Sequence, residues 1–552
     1  MTIFKLRLRA FPALLLVTLA GCQVSSGAYR YEGFGNFERS ITTSSSEAQE
    51  YFNQGMQLLY GFNHDEAIRS FKQAALLDPG SPMPWWGVAY ANGVNINNDK
   101  MSAENSADAR SAADKAMERI NDASPSEQAL VRAIDARYSL PIPEDRAPLD
   151  QAYAAAMGEA FQAHPNDADI AAIYADALMN LQPWDYWEKD GQPKGRALEI
   201  LSVLESALEL DPSHPGANHF YIHTAEASEN PDRAVLAADR LRHLVPGSGH
   251  LVHMPSHIYI RVGRYSDAVE SNRAAVAADR KYFATAPAPA MYAIYYAHNL
   301  HFLAYAAMMS GRYEDAITAA RALEAEMPKG ALREYAGLVD GIMPTTLHVL
   351  IRFGKWEQVL LEPEYEDWRF ISVATRLYAR SIANSALGQT AEARKEMELF
   401  FEAVANIPEE WHVLDNQIGE VMPIATAMIE GELLYREGRF DEAFAALRLG
   451  IEAEDALVYR EPPAWMLPVR HALGALLMGA NRFEEAEAVY REDLKHLRNN
   501  GWALLGLQKS LLAQGRADDA KALEAKLEAA WLDADVVPQS SCYCEPGVEI
   551  TP

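Results

Sequence analysis

Residues 51–79 read YFNQGMQLLYGFNHDEAIRSFKQAALLDP, and this stretch decides the fold. Two amphipathic runs of helical period flank a short turn, which is followed by an acidic residue and an alanine. The small residues Gly55, Ala67 and Ala74 stand at fixed offsets, and Pro79 closes the second run because proline cannot continue a helix. The same grammar returns as GRYSDAVESNRAAVAAD from Gly263, GRYEDAITAARALEAEMP from Gly311, GQTAEARKEMELF from Gly388 and GRFDEAFAALRLGIEAE from Gly438. It returns again as NRFEEAEAVYREDL from Asn481 and GRADDAKALEAKLEAAW from Gly515. Alternating apolar residues, the mark of a half-buried strand, are nearly absent. The expectation is an all-α chain built from repeated helix pairs.

The pattern resembles the tetratricopeptide repeat (TPR), in which helix A and helix B of each unit cross closely over small residues. The resemblance implies a right-handed superhelical solenoid of roughly ten helix pairs over residues 47–530. Within it, residues 95–165 keep helical periodicity while the repeat signature fades, so irregular helices are expected there. Residues 284–290, ATAPAPA, are expected to interrupt the spacing as a rigid loop. Residues 291–309 lack Asp, Glu, Lys and Arg, but His298, Asn299 and His301 lie inside them and they lead straight into a repeat turn, which argues against a membrane span.

Both ends read differently from the body. Lys5, Arg7 and Arg9 precede the apolar run FPALLLVTLA, which is too short for a permanent span. The run ends in Leu19-Ala20-Gly21-Cys22, which resembles a bacterial lipobox. That resemblance implies a signal peptide over residues 1–21, lipidation of Cys22 and a lipid anchor; Gln23 at the next position favours an outer-membrane lipoprotein, facing periplasm or surface. The Ser- and Gly-rich residues 22–46 are expected to form a flexible tether. The formal net charge is −28, and loss of the three basic leader residues makes it more negative, which argues against nucleic acid as a partner. Of three cysteines, only Cys542 and Cys544 remain after lipidation, in the tail 531–552. They are read as a local disulfide, as soft ligands for a metal such as copper, or as an incidental pair in a disordered tail.

Seven of the 15 histidines fall in three stretches: NHFYIHTAE (His219, His223, Glu226), GHLVHMPSHIY (His250, His253, His257) and AHNLHF (His298, His301). Imidazole is the commonest protein metal ligand. Pro212 and Pro246, as closing prolines, and Gly311, Ala316 and Pro328 fix the repeat register without using the histidines. In the resembled family, helix A lines the concave groove through positions 2, 5, 9, 12 and 13. His219, His223 and Glu226 then fall at 5, 9 and 12 of one repeat, His250, His253 and His257 at 2, 5 and 9 of the next, and His298 and His301 at 2 and 5 of the third, with His348 at 9 of the repeat after it. Neighbouring A helices lie about 10 Å apart, so these rings can meet at an ion. The pattern is not HExxH, because Phe220 stands where that motif needs glutamate. His250 and His253 precede Pro255, which leaves a first-turn or extended placement open.

Imidazole with carboxylate suits a divalent transition metal such as Zn, Cu or Fe, and disfavours Ca and Mg. So many imidazoles exceed what one ion takes, which leaves either two sites or one site with spare histidines for acid–base work. An open position on zinc would activate water, and one on iron or copper would suit oxidation. The competing reading is a non-enzymatic scaffold that holds a protein or peptide in the groove, the usual role of repeat solenoids. Trp85, Trp86, Trp184, Tyr186 and Trp187 are read as inter-repeat core or as groove aromatics; His412 lies outside the register, and His471 is read as structural. The segments PMPWWGVAYANGVNIN, DALMNLQPWDYW, GHLVHMPSHIYIRVGRY and YREPPAWMLPVRHALGALL together resemble a widespread group of bacterial TPR proteins, a likeness that supplies no activity.

Overall fold

The computed structural model describes residues 28–285 and 290–545. The expected signal peptide and Cys22 lie outside the described residues. The chain is an all-α superhelical solenoid of the TPR type, in which helix packs antiparallel on helix in sequence order. Ser46–Tyr60 pairs with His64–Leu77, Ala290–Met309 with Tyr313–Glu326, Phe370–Ala386 with Thr390–Ala405, Ile418–Arg436 with Phe440–Ala456, and Val469–Gly479 with Phe483–His496. The small residues do what the repeat pattern requires. A Cβ on Gly55 or Gly87 would fall 2.5 or 2.6 Å from the Phe71 ring, and one on Gly474 or Gly506 would strike Tyr490. The turn glycines Gly263, Gly311, Gly354, Gly388, Gly438 and Gly515 all hold positive φ, and Asn481 takes that conformation in the one repeat that starts with Asn. Between residues 95 and 165 lie the helices Ala103–Glu118, Pro125–Ala136 and Ala147–Ala163. Among the described residues the only two-stranded ladder is His412–Val413 against Asn416–Gln417. No described helix is long and apolar enough to cross a membrane.

Three expectations are corrected. From Ala28 onward the tether is a strap fixed to the solenoid. Arg39 is buried between Asp167 and Asp169 (2.9 and 3.0 Å), Thr42 gives both its N–H and its hydroxyl to Glu127, and Gly33 O accepts from Gly247 N. Serine and glycine composition misled because a few well-placed partners, with Tyr31, Phe34, Phe37 and Ile41 packed on the core, immobilise the extended segment. The helix Tyr265–Thr285 runs on through Ala284 and Thr285, positions assigned to the loop, and residues 286–289 lie outside the described residues. Of the readings of the tail, the disordered one is overturned, since its described residues are tied to the solenoid: Val536 N donates to Gly311 O, Ser541 Oγ to His471 O, and Arg436 to Cys544 O. Cys542 and Cys544 are joined in a disulfide.

The superhelix therefore closes on itself. Trp502 Nε1 donates to Met308 O, Arg498 pairs with Asp232, and the loop after Phe440–Ala456 inserts Tyr459, Arg460 and Glu461 against the middle repeats. Tyr459, Arg460 and Glu461 of this distal loop lie over the histidine-bearing helices.

Candidate metal centre

The helix Pro215–Ala225 carries His219 and His223, and Glu226 is its C-cap. The next A helix is split: Gly249–His253 holds His250 and His253, Met254 stays in the right-handed helical region, and Pro255–Val262 holds His257. Pro255 has no N–H, so the break costs no hydrogen bond at that position, and the three rings keep their helical spacing. Ala290–Met309 contributes His298 and His301. Six of these seven imidazoles come together in a continuous array. Ring centroids stand 4.8 Å apart for His219–His223, 4.9 Å for His219–His250, 6.1 Å for His250–His253, 4.8 Å for His253–His257 and 4.7 Å for His253–His298. Phe62, Trp184, Tyr295 and Phe302 wall the array. All six are buried except His298, which is half-buried.

Donor atoms fall into three groups, each with its atoms within 4.8 Å of one another: His219/His223/His250, His253/His257/His298 and Glu226/His257/Glu461. The hydrogen bonds on the far side of the rings assign the protons. His219 Nδ1 is 2.6 Å from Tyr60 O, an obligate acceptor, so Nδ1 carries the proton and Nε2 is bare. His223 Nδ1 faces Glu226 Oε1 at 3.3 Å, and its Nε2 is buried without any partner. His253 Nδ1 lies 2.7 Å from Asn272 Oδ1, whose amide nitrogen is committed to Ser256 and Ala268 O. His257 Nδ1 lies 2.9 Å from Glu226 Oε2 and 3.0 Å from Glu461 Oε2. Carbonyl and carboxylate acceptors behind imidazole fix ring orientation and raise basicity, the arrangement found behind metal-bound histidines. The bare Nε2 of His219 faces His250 Nε2 at 3.2 Å, and the bare Nε2 of His253 faces His257 Nε2 at 2.9 Å, so each pair has room for one proton or one cation between its rings.

Electrostatics follow from burial. Desolvation, reinforced by neighbouring imidazoles, holds His219, His250, His253 and His298 well below the ordinary histidine range, so they are neutral lone-pair donors. Desolvation also lowers His223, against the pull of Glu226. His257 is the exception: burial opposes its charge, but Glu226 and Glu461 overcome it and push its pKa up to about 10. Burial, opposed by His257 but aided by Glu226, lifts Glu461 to about 6. With no metal, a proton on His257 bridges to His253; a cation at the same place would meet the same lone pairs.

His301 is not part of this array. It is buried, its Nδ1 has no partner, and its electrostatic neighbour is His348, which packs on Trp465. His298 and His301 share a helix, but a three-residue step turns a side chain through about 300°, which tips His301 away from its neighbour's direction. His471 is a structural histidine, held by Asp493 and Arg352. Trp86 is core, Trp187 ties Nε1 to Thr224 O, and Trp184 both caps Ile96 O and packs on His223. Neither tail cysteine joins any of the three groups. Sequence reading missed Asn272 and Glu461. Glu461 sits inside the quoted YREPPAW segment, so the signal was present but nothing tied it to His257.

No family model and no curated protein matches this chain. Solved structures similar to it include the Cut9–Hcn1 hetero-tetramer of the APC/C, at 11% identity and a TM-score of 0.28, covering 88% of this chain and 74% of that one. The human IFIT1 dimer with m7Gppp-AAAA is similar at 13% identity and a TM-score of 0.30, covering 89% and 91%. Yeast Tom70 follows at 12% identity and 0.28, covering 87% and 90%. Likenesses this remote carry nothing about ligand or chemistry.

Proposed function

We propose that this protein is an envelope-anchored TPR protein whose solenoid encloses a histidine-rich site for a divalent transition metal. One observation carries the reading: the buried imidazoles of His219, His223, His253 and His257 each spend Nδ1 on an acceptor and turn Nε2 toward other imidazoles. In a dry interior, facing lone pairs without a cation or proton between them are repulsive, and an uncharged core would be served better by apolar side chains. A tetrahedral ion with nitrogens at 2.0–2.1 Å holds two donors about 3.3 Å apart, close to the spacing of the first pair. His219, His223, His250, His253, His257 and His298 are the candidate ligands, and a bound metal would, as zinc, activate water and, as copper or iron, suit oxidation. His298, half-buried, marks the side nearest solvent.

The envelope location rests on the lipobox-like Cys22 and its basic, apolar leader, and the Cys542–Cys544 disulfide suits an oxidising compartment. A TPR-type solenoid also suits protein binding; here residues 459–461 cover the histidines, so a partner would meet another surface. The test is elemental analysis of the chain carrying Cys22→Ser, purified and then reconstituted separately with Zn, Cu, Fe and Mn. The expected result is stoichiometric metal that is lost in the His250→Ala/His253→Ala/His257→Ala variant. Metal no higher than the buffer blank under all four conditions would refute the reading.

A further inference from the structure

We infer that the centre holds two metal ions, one on His219/His223/His250 and one on His253/His257/His298, coupled through the single carboxylate of Glu226. This rests on the metal-binding reading above and settles the question of nuclearity within it. Three observations carry it. The donor atoms separate into two all-imidazole trios, each compact enough for one ion. Each trio has its own facing Nε2 pair, at 3.2 and 2.9 Å, the first close to the chord of about 3.3 Å for a tetrahedral ion and the second somewhat inside it. Each trio also has its own supporting acceptor: Tyr60 O behind His219, and Asn272 behind His253. An excess of ligands around one ion would not need a second, separately oriented set.

Glu226 is the link. Its Oε1 is 3.3 Å from His223 Nδ1 in the first trio, and its Oε2 is 2.9 Å from His257 Nδ1 in the second. It stands behind one ligand of each ion, so its charge raises the basicity of both at once. Glu461 supports only His257, and it arrives from 204 residues along the chain, so the second site is complete only when the distal loop is docked.

The experiment is metal stoichiometry of the full chain, by elemental analysis and by titration against a chromogenic chelator with Zn and Cu. Two equivalents are expected in the wild type, falling to one in His219→Ala/His250→Ala and to one in His253→Ala/His298→Ala. Glu226→Gln should keep both ions but weaken each site by about 10- to 100-fold, the usual effect of losing an acceptor behind a bound histidine. One equivalent in the wild type, or loss of all metal in either double variant whose far-UV circular dichroism is unchanged, would overturn the two-ion centre and leave the metal reading intact. No metal at all would overturn the reading beneath it. Should a double variant fail to fold, the wild-type stoichiometry decides by itself.

Discussion

Two kinds of buried histidine coexist in this solenoid, and the difference lies in what each ring nitrogen does. His214 and His471 are saturated. His214 Nδ1 accepts from Ala217 N at 3.0 Å while Nε2 meets Asp169 Oδ1 at 3.1 Å; His471 Nε2 meets Asp493 at 3.0 Å while Nδ1 accepts from Arg352 at 2.9 Å. Of the two trios, His219, His223, His253 and His257 are buried as well, but they bind the protein through Nδ1 and leave Nε2 with no partner but imidazole. Burial alone therefore says nothing about function. An unspent nitrogen, held in place by a spent one, is the distinguishing mark.

The largest expected effect is on acid stability, and it tests whether neutral buried histidines constrain the fold. Burial, with the Arg137 charge beside it, lowers His64 to about 4, and burial lowers His348 to about 4; burial with His348 alongside lowers His301 to about 3. Their unfolded values lie near 6.5, so the unfolded chain binds more protons between pH 6.5 and about 4. Their share of the stability is full above pH 6.5 and falls as pH drops through that window, partly opposed by Asp279 and Glu454, which burial lifts to about 7 and about 8. The three groups together give a slope of about 4 kcal/mol per pH unit. In the metal-free chain the buried trio histidines of lowered pKa steepen it, and bound metal should raise the whole curve while keeping that slope, because the unfolded chain still takes up their protons. Urea midpoints measured from pH 7.5 to 4.5, with and without zinc, would show this; a flat profile would contradict the protonation states assigned here.

Next in size is the saturated network. Asp169 accepts from Arg39, Tyr60 and His214, all buried, so Asp169→Ala leaves a buried guanidinium short of charge. Asp167 remains beside Arg39, which puts the expected loss near the low end for a broken buried pair, about 3 kcal/mol. Metal content should not change. A variant that lost metal along with stability would erase the distinction between the two kinds of histidine.

Most repeat turns were legible because glycine, or asparagine at a small cost, best tolerates the positive φ that ends helix A, so Gly263, Gly311 and Asn481 announce themselves, while Phe62 takes it in the first repeat. The register was legible because helical geometry ties spacing to direction, and it gathered six of the seven clustered rings. His301 slipped because groove positions describe a broad stripe, and rings within it still diverge. The self-closure of the superhelix was not legible. It depends on small inter-repeat rotations set by many side-chain volumes, so neither Glu461 over His257 nor the strap under Asp167 and Asp169 has any local signature. Asn272 was invisible for a simpler reason: it sits on helix B, whose inner face is ordinarily packing.

That residue gives the smallest and sharpest test. Asn272 Oδ1 is the acceptor that fixes His253, and its amide nitrogen is tied to Ser256 Oγ and Ala268 O, so the side chain has no freedom to present its donor instead. Asn272→Leu removes the acceptor while roughly keeping volume, and metal affinity should fall by about 10- to 100-fold, or about 1.4–2.7 kcal/mol. Asn272→Asp restores an acceptor and adds charge, so affinity should return to the wild-type value or exceed it even if the fold loses some stability. A purely packing role predicts the reverse order, since leucine fills the space and a buried carboxylate is costly there. Chelator competition on the two variants separates these outcomes without reference to any activity, and it asks directly whether the proton on His253 Nδ1 is what frees Nε2.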